Sequence, residues 1–202
     1  KLMNETPATN ASGTDQKQTL LEGIASLLSG AVGNILPVIT SSDNVDVKSE
    51  SPAKGKVGDL LEPLKEGNVF IVFRLPALTE SAIAGVIANP LALDISQRMM
   101  GQEGAEELND ALLSALNEAF NNVLGAFDTA LKEEFGVEVE HSDTKFLDGD
   151  PSEQLQSEAG MTADADAWMI ALPVTIDQAS GNIILLLTDA CATELAEKHP
   201  SL

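Results

Sequence analysis

One order of elements occurs twice along this chain, and that repetition limits the folds open to it. Leu20, Ile24, Leu27, Leu28, Val32 and Ile35 recur at spacings of three and four up to Pro37, the pattern of an amphipathic helix. A polar segment with β-branched residues follows at 38–48 and reads as a strand, and the turn-rich SESPAKGKVGD after it reads as a loop. NVFIVFRL (68–75) and residues 81–88 form a buried hairpin joined through PALTE. Pro90 opens a helix that runs to Met100 and is closed by Gly101 and Gly104. From Glu107 the series restarts. A long helix to Lys132 leads to a polar-alternating strand, VEVEHSDTKF (137–146), and an acidic loop (148–166). Strands at 167–176 and 183–188 flank the turn QASGN, and a closing helix, DACATELAEK, ends at His199-Pro200.

The repeat has a register. Gly125-Ala126 lies 95 residues after Gly30-Ala31, and the hairpin ends Asn89-Pro90 and Thr188-Asp189 lie 99 apart, the longer acidic loop absorbing the difference. Two such halves, 15–101 and 105–199, are expected to join into one antiparallel sheet with both long helices on one face. The expected fold class is therefore α/β (α+β), a single domain over 15–199. Residues 1–14, KLMNETPATNASGT, are small and polar and are expected as a disordered tail.

Charge narrows the partners. With 32 acidic against 11 basic residues the formal net charge is −21, so a nucleic-acid backbone or an anionic membrane would be repelled. A basic protein surface fits better. No continuous apolar run approaches the roughly 18 residues of a membrane span, so no membrane insertion is expected. The one cysteine, Cys191, reads as a small core residue. His141 and His199 stand alone, and no Cys/His spacing suggests a metal. The pairs Asp148/Asp150 and Asp164/Asp166 lack the glycine and terminal glutamate of a calcium loop and read as a solvated acidic segment.

The central helix carries the most chemical information. Leu112, Leu116, Ala119, Phe120, Val123, Phe127 and Ala130 fall on one arc, and Asp110, Ser114, Glu118, Asn121, Asn122 and Asp128 oppose them. Ser114, Glu118 and Asn121 stand at i, i+4 and i+7 and point one way. A solvated face accounts for most polar stripes, but solvation alone favours Glu or Lys over the carboxamides at 117, 121 and 122.

Met99-Met100-Gly101, an acidic spacer, the Ser114/Glu118/Asn121 helix and Gly125-Ala126 together resemble the CheC/CheX/FliY family of bacterial chemotaxis and flagellar-switch proteins. The likeness is nearest to the FliY/FliN N-terminal region and covers about 15–199. That family carries S/D-x-x-x-E-x-x-N on a long helix and removes phosphate from CheY. The resemblance implies a pseudo-twofold domain in which Asn121 orients the attacking water and Glu118 pairs with a lysine of the regulator. Ser114, Asn117 and Asn122 would be partner-binding or flanking positions. It implies no cofactor of the chain's own, magnesium being supplied by the phosphorylated partner. The implied partners are a CheY-type response regulator and flagellar switch proteins, in the cytoplasm at the motor base.

Departures from the family pattern keep a second function open. Ninety-five residues before Glu118 and Asn121 stand Gly23 and Ser26, so the first half lacks the pair; Glu22 is one residue off, about 100° around the helix. The proline that relatives carry after the helix is missing around Thr144. FliY-type relatives continue into a C-terminal switch domain, whereas this chain stops at Leu202. The alternative is a non-catalytic CheC-like adaptor of the flagellar switch or chemotaxis pathway.

Overall fold

The computed structural model describes residues 9–142, 144–148 and 150–198. Helix α1 (Thr9–Thr40) begins inside the segment expected as a tail, of which residues 1–8 lie outside the described residues. It also runs through Pro37, which corrects the strand expected over 38–48. A proline in the last turn removes only one helical N–H, and the freed end is satisfied locally. The Thr40 hydroxyl donates to the Leu36 carbonyl (2.6 Å) and the Ser42 N–H to that of Pro37 (3.3 Å). What remains of the strand is β1 (Val45–Val47).

The stretch read as a loop holds β2 (Ala53–Lys56) and α2 (Val57–Leu61), then a 3-10 turn (Glu62–Leu64). The first hairpin, β3 (Asn68–Arg74) and β4 (Ala82–Ala88), and helix α3 (Asn89–Met100) match their expectations, with Gly101 in the left-handed region at φ 61°. Helix α4 (Asp110–Phe135) is capped by Asn109, whose side chain accepts from the Leu112 N–H. Of the strand expected at 137–146 only β5 (Lys145–Phe146) forms. The acidic loop contains α5 (Pro151–Ala159), which has a full set of local signals: Asp150 accepts from the Ser152 and Glu153 N–H groups, Pro151 opens it, and Gly160 closes it at φ 67°. Strands β6 (Asp166–Ile176) and β7 (Ala179–Thr188) and helix α6 (Asp189–Lys198) complete the described chain.

All seven strands make one antiparallel sheet in the order β1-β6-β7-β4-β3-β5, with β2 also on β6. The order reads the same from either edge when the halves are exchanged. Each half completes its sheet on the other: β1 pairs with β6, and β5 with β3. Side chains repeat the exchange. Arg98 of α3 pairs with Asp177 in the β6–β7 turn (2.9 Å), where Asp177 adopts φ 52°. Glu194 of α6 accepts from the Thr79 hydroxyl, the Glu80 N–H (3.1 Å) and the Ser81 hydroxyl (3.4 Å) in the β3–β4 connection. The Thr79 bond above all holds the Glu194 carboxyl below its ordinary range.

Both sheet faces are covered, so the strands are apolar at successive positions rather than alternating with polar ones. Ile71, Phe73, Ile83, Ile170, Leu172 and Leu185 face α1, α3, α4 and α6 in the main core. Phe70, Val72, Ala84, Ala171, Ile184 and Leu186 face α2 and α5 in a smaller one. As expected, Leu116, Phe120, Val123 and Phe127 of α4 share the main core with Ile24, Leu28 and Val32 of α1. One 18-residue window within Gly13–Thr40 has a mean hydropathy of 1.6, long and apolar enough to cross a membrane by length and composition, although no continuous apolar run fills it. Small Gly, Ala and Ser residues interrupt the large side chains without lowering the average much. In the fold that apolarity lies against α4 and the sheet, with Leu20, Leu21, Ile24, Leu28, Val32 and Leu36 buried.

Gly85 sets how closely α4 approaches the sheet. A Cβ there would lie 2.8 Å from Ile71 Cγ1 and 3.1 Å from Phe120 Cζ. Gly85→Ala is expected to destabilise the fold by about 1–3 kcal/mol through overpacking, read as a lowered urea midpoint; an unchanged midpoint would show that α4 has room to spare.

Asp189 joins the two ends of the chain. It pairs with Lys17 (2.7 Å) and Lys54 (3.4 Å) and accepts from Trp168 Nε1 (2.8 Å), while the Lys54 ammonium sits 5.3 Å from the Trp168 ring centroid. Burial, the largest single influence, pushes the Asp189 carboxyl up, but the Lys17 and Trp168 hydrogen bonds and both ammonium groups together bring it below its ordinary value of 3.8. A lowered folded-state pKa contributes stability that is complete above the unfolded value and fades as pH falls through the folded one. Asp189→Asn should therefore lose less stability than wild type between pH 7 and pH 3 in urea titrations. Parallel losses would contradict the assignment.

Candidate functional site

The burial patterns of the two long helices coincide at a spacing of 95 residues. Leu21, Ile24, Ala25, Leu28, Val32 and Leu36 of α1 are buried, and so are the α4 residues 95 positions later: Leu116, Ala119, Phe120, Val123, Phe127 and Leu131. This fixes the direction of the polar face of α4. Ser114, Glu118 and Asn122 are exposed, and Asn117 and Asn121 are half-buried. Glu118 forms no ion pair with a described residue, so an accessible, unpaired side chain stands one turn from a carboxamide on the same side. On α1, Gly23 and Ser26 border a shallow depression of about 190 Å³ with Leu27, Glu134 and Phe135, with no Glu/Asn pair.

A loop runs beside this face where the sequence pattern predicts a strand. The Thr144 hydroxyl donates to Asn117 Oδ1 and lies 3.4 Å from Asn121 Oδ1. Nearer the helix end, His141 Nδ1 lies 2.6 Å from Asp128 Oδ2, and the His141 N–H donates to the same oxygen (3.1 Å). Asp128, placed by periodicity on the solvated line, is buried at 7 % exposure beneath that histidine, and its Oδ1 has no hydrogen-bond partner among the described residues. His141 and Thr144 thus direct polar groups to α4 instead of a strand ladder. Sequence reasoning missed Thr144 and the His141–Asp128 pair because both depend on a loop folding back 13 to 27 residues along the chain.

The remaining candidates contribute no chemistry. Burial pushes the Cys191 thiol up to about 11, so at neutral pH it is a protonated core group, not a nucleophile. Among the described residues no group of three or more His, Cys, Asp or Glu side chains is placed to hold a metal ion. His199 lies outside the described residues.

No protein-family model and no curated protein matches this chain. Solved structures do. FliY from Thermotoga maritima superposes with a TM-score of 0.77 at 19% identity, over 98% of each chain. The FliG–FliM complex from H. pylori matches with a TM-score of 0.66 at 15% identity, over 91% of this chain and 98% of that one. The chemotaxis protein CheX from Vibrio vulnificus matches with a TM-score of 0.51 at 18% identity, over 81% and 97%. The chain has a CheC/CheX/FliY-like fold. The likeness to FliY extends over both halves, so α1 and α4 of the FliY-like fold here are a complete helix pair, and the Glu/Asn pair belongs to α4 alone.

The His141–Asp128 pair anchors the loop on the FliY-like helix. His141→Ala leaves a buried carboxylate without its side-chain partner and is expected to cost about 1.5–3 kcal/mol, the range for a hydrogen bond to a charged group. The check is the denaturant midpoint; a neutral substitution would mean that solvent replaces the imidazole at no cost.

Proposed function

We propose that this chain is a chemotaxis or flagellar-switch protein that removes the aspartyl phosphate of a CheY-type response regulator through a single site on α4. The observation that carries this reading is the accessible Glu118, one turn before Asn121 on the same face, on a CheC/CheX/FliY-like fold. Aspartyl-phosphate hydrolysis needs a water held in line with phosphorus and a second protein held in register. A carboxamide orients water without placing negative charge beside the phosphoryl group, and Asn121 takes that role. Glu118 takes a lysine of the regulator, and Ser114 and Asn122, both exposed nearby, bound the contact. Asn117, held by Thr144, supports from the side. The magnesium ion comes with the regulator in this reading. The surroundings are the cytoplasmic base of the flagellar motor, with switch proteins as further partners.

A second reading, a non-catalytic adaptor of the switch, is favoured by one specific observation: the TM-score is higher to the FliG–FliM complex, 0.66, than to CheX, 0.51. The two readings part on one experiment. Decay of a phosphorylated CheY-type regulator is followed with and without the protein. Acceleration is expected, lost in Asn121→Ala with regulator binding retained, because a contact made only in the transition state affects turnover alone. Glu118→Ala should weaken both binding and turnover by about 1.5–3 kcal/mol, the scale of a charge-assisted contact. Gly23→Ala and Ser26→Ala should change neither. A wild-type protein that binds the regulator and leaves its phosphate lifetime unchanged would establish the adaptor reading.

A further inference from the structure

We propose that Thr144 is a positioning residue that decides which end of the Asn121 carboxamide is offered to solvent; the inference rests on the phosphatase reading of the α4 face and adds a residue to it. Thr144 Oγ1 touches Asn117 Oδ1 and stands 3.4 Å from Asn121 Oδ1, so two carbonyl oxygens face one hydroxyl proton. A threonine hydroxyl has one proton and two lone pairs. The proton goes to Asn117, so toward Asn121 the hydroxyl presents only an acceptor. A carboxamide turned about its last bond exchanges oxygen and nitrogen in the same space, and the network decides which orientation holds. Turning Asn121 about that bond, so that Nδ2 replaces Oδ1 against Thr144, satisfies all three groups at once, and this is the orientation inferred. The result is a directional chain, from the Asn121 amide N–H to Thr144 Oγ1, and from the Thr144 O–H to Asn117 Oδ1.

The free end is then Asn121 Oδ1, an acceptor on the side of Glu118 and Ser114. An acceptor is what a water needs for in-line attack, since it takes one water proton and leaves a lone pair aimed at phosphorus. The reverse orientation would offer an N–H, which takes one of the two lone pairs of the water and accepts neither of its protons. Thr144 itself is held. Ser142 exchanges two hydrogen bonds with Arg74 at the end of β3, its N–H donating to the Arg74 carbonyl (2.9 Å) and its Oγ accepting from the Arg74 N–H (2.8 Å). On the other side, Lys145 and Phe146 pair with Val72 and Ile71. The threonine is therefore fixed to the sheet on both flanks, and the sheet fixes the carboxamide.

The test uses the full chain with a CheY-type regulator phosphorylated by acetyl phosphate in magnesium buffer, and compares Thr144→Val, Thr144→Ser and Asn121→Ala. Thr144→Val should lower kcat about fivefold, the equivalent of one neutral hydrogen bond, with KM unchanged. Thr144→Ser should restore wild-type turnover. A second arm reads the side-chain NH2 resonances of Asn121 by NMR in the protein alone. They should shift in Thr144→Val and keep their wild-type positions in Thr144→Ser. Wild-type kcat in Thr144→Val, while Asn121→Ala is inactive, would overturn the proposal, as would an Asn121 resonance unmoved by the valine. If wild type does not accelerate decay at all, the phosphatase reading fails separately, and the NMR arm alone decides whether Thr144 orients the carboxamide.

Discussion

The structure depends on an exchange of edge strands between its halves. β1 is hydrogen-bonded to β6 and β5 to β3, so neither half has a complete sheet without the other. The hairpins meet at the centre through β4 and β7, and the closing helix of each half holds the hairpin connection of the other, Arg98 on Asp177 and Glu194 on the segment 79–81. With both hairpins in one sheet, α1 and α4 are brought to the same face and bury each other's apolar arcs. Leu21 and Ile24 line one apolar cavity together with Phe127 and Leu131. The outward face of α4 is the residue of that arrangement: once Leu116, Phe120, Val123 and Phe127 are committed to the core, Ser114, Glu118 and Asn121 have only the opposite direction.

The two long helices bury alike and differ chemically on their outward faces. The burial patterns of α1 and α4 coincide at a spacing of 95 residues, yet the outward positions of α1 hold Gly23 and Ser26 where α4 holds Glu118 and Asn121. The inequality extends to the flanks of the helix. On α4 a loop fixed by Ser142 to β3 and by His141 to Asp128 brings Thr144 against Asn117 and Asn121. Support of this kind makes the difference between a carboxamide that is merely exposed and one that is oriented.

Most of the architecture was legible because it rests on periodicity. The apolar spacing of both long helices and the continuous apolar runs of four strands survive into the structure. What was not legible depends on competition between local signals and distant contacts. Pro37 reads as a helix end, but in a last turn its missing N–H is inexpensive, and α1 continues to Thr40. VEVEHSDTKF alternates like a strand, but His141 and Thr144 find partners on α4, and only two residues pair with β3. Asp128 falls on the polar side of α4 by angle and is buried by a histidine that follows in the loop. The α5 helix was legible in principle, because Asp150-Pro151 and Gly160 are ordinary start and stop signals masked by an acidic composition. At the candidate site the helix positions were readable from spacing alone, whereas the Thr144 contact needed the loop's path.

The central claim is that one helix of the pair, α4, meets the phosphorylated regulator. The most direct measurement is an NMR perturbation map of this chain on addition of a CheY-type regulator held in its phosphorylated-like state by beryllofluoride and magnesium. The account predicts that resonances of residues 114–122 and Thr144 move, while those of residues 19–30 on α1 stay in place. Perturbations on α1 with α4 silent, or on neither helix in a complex that forms, would contradict it.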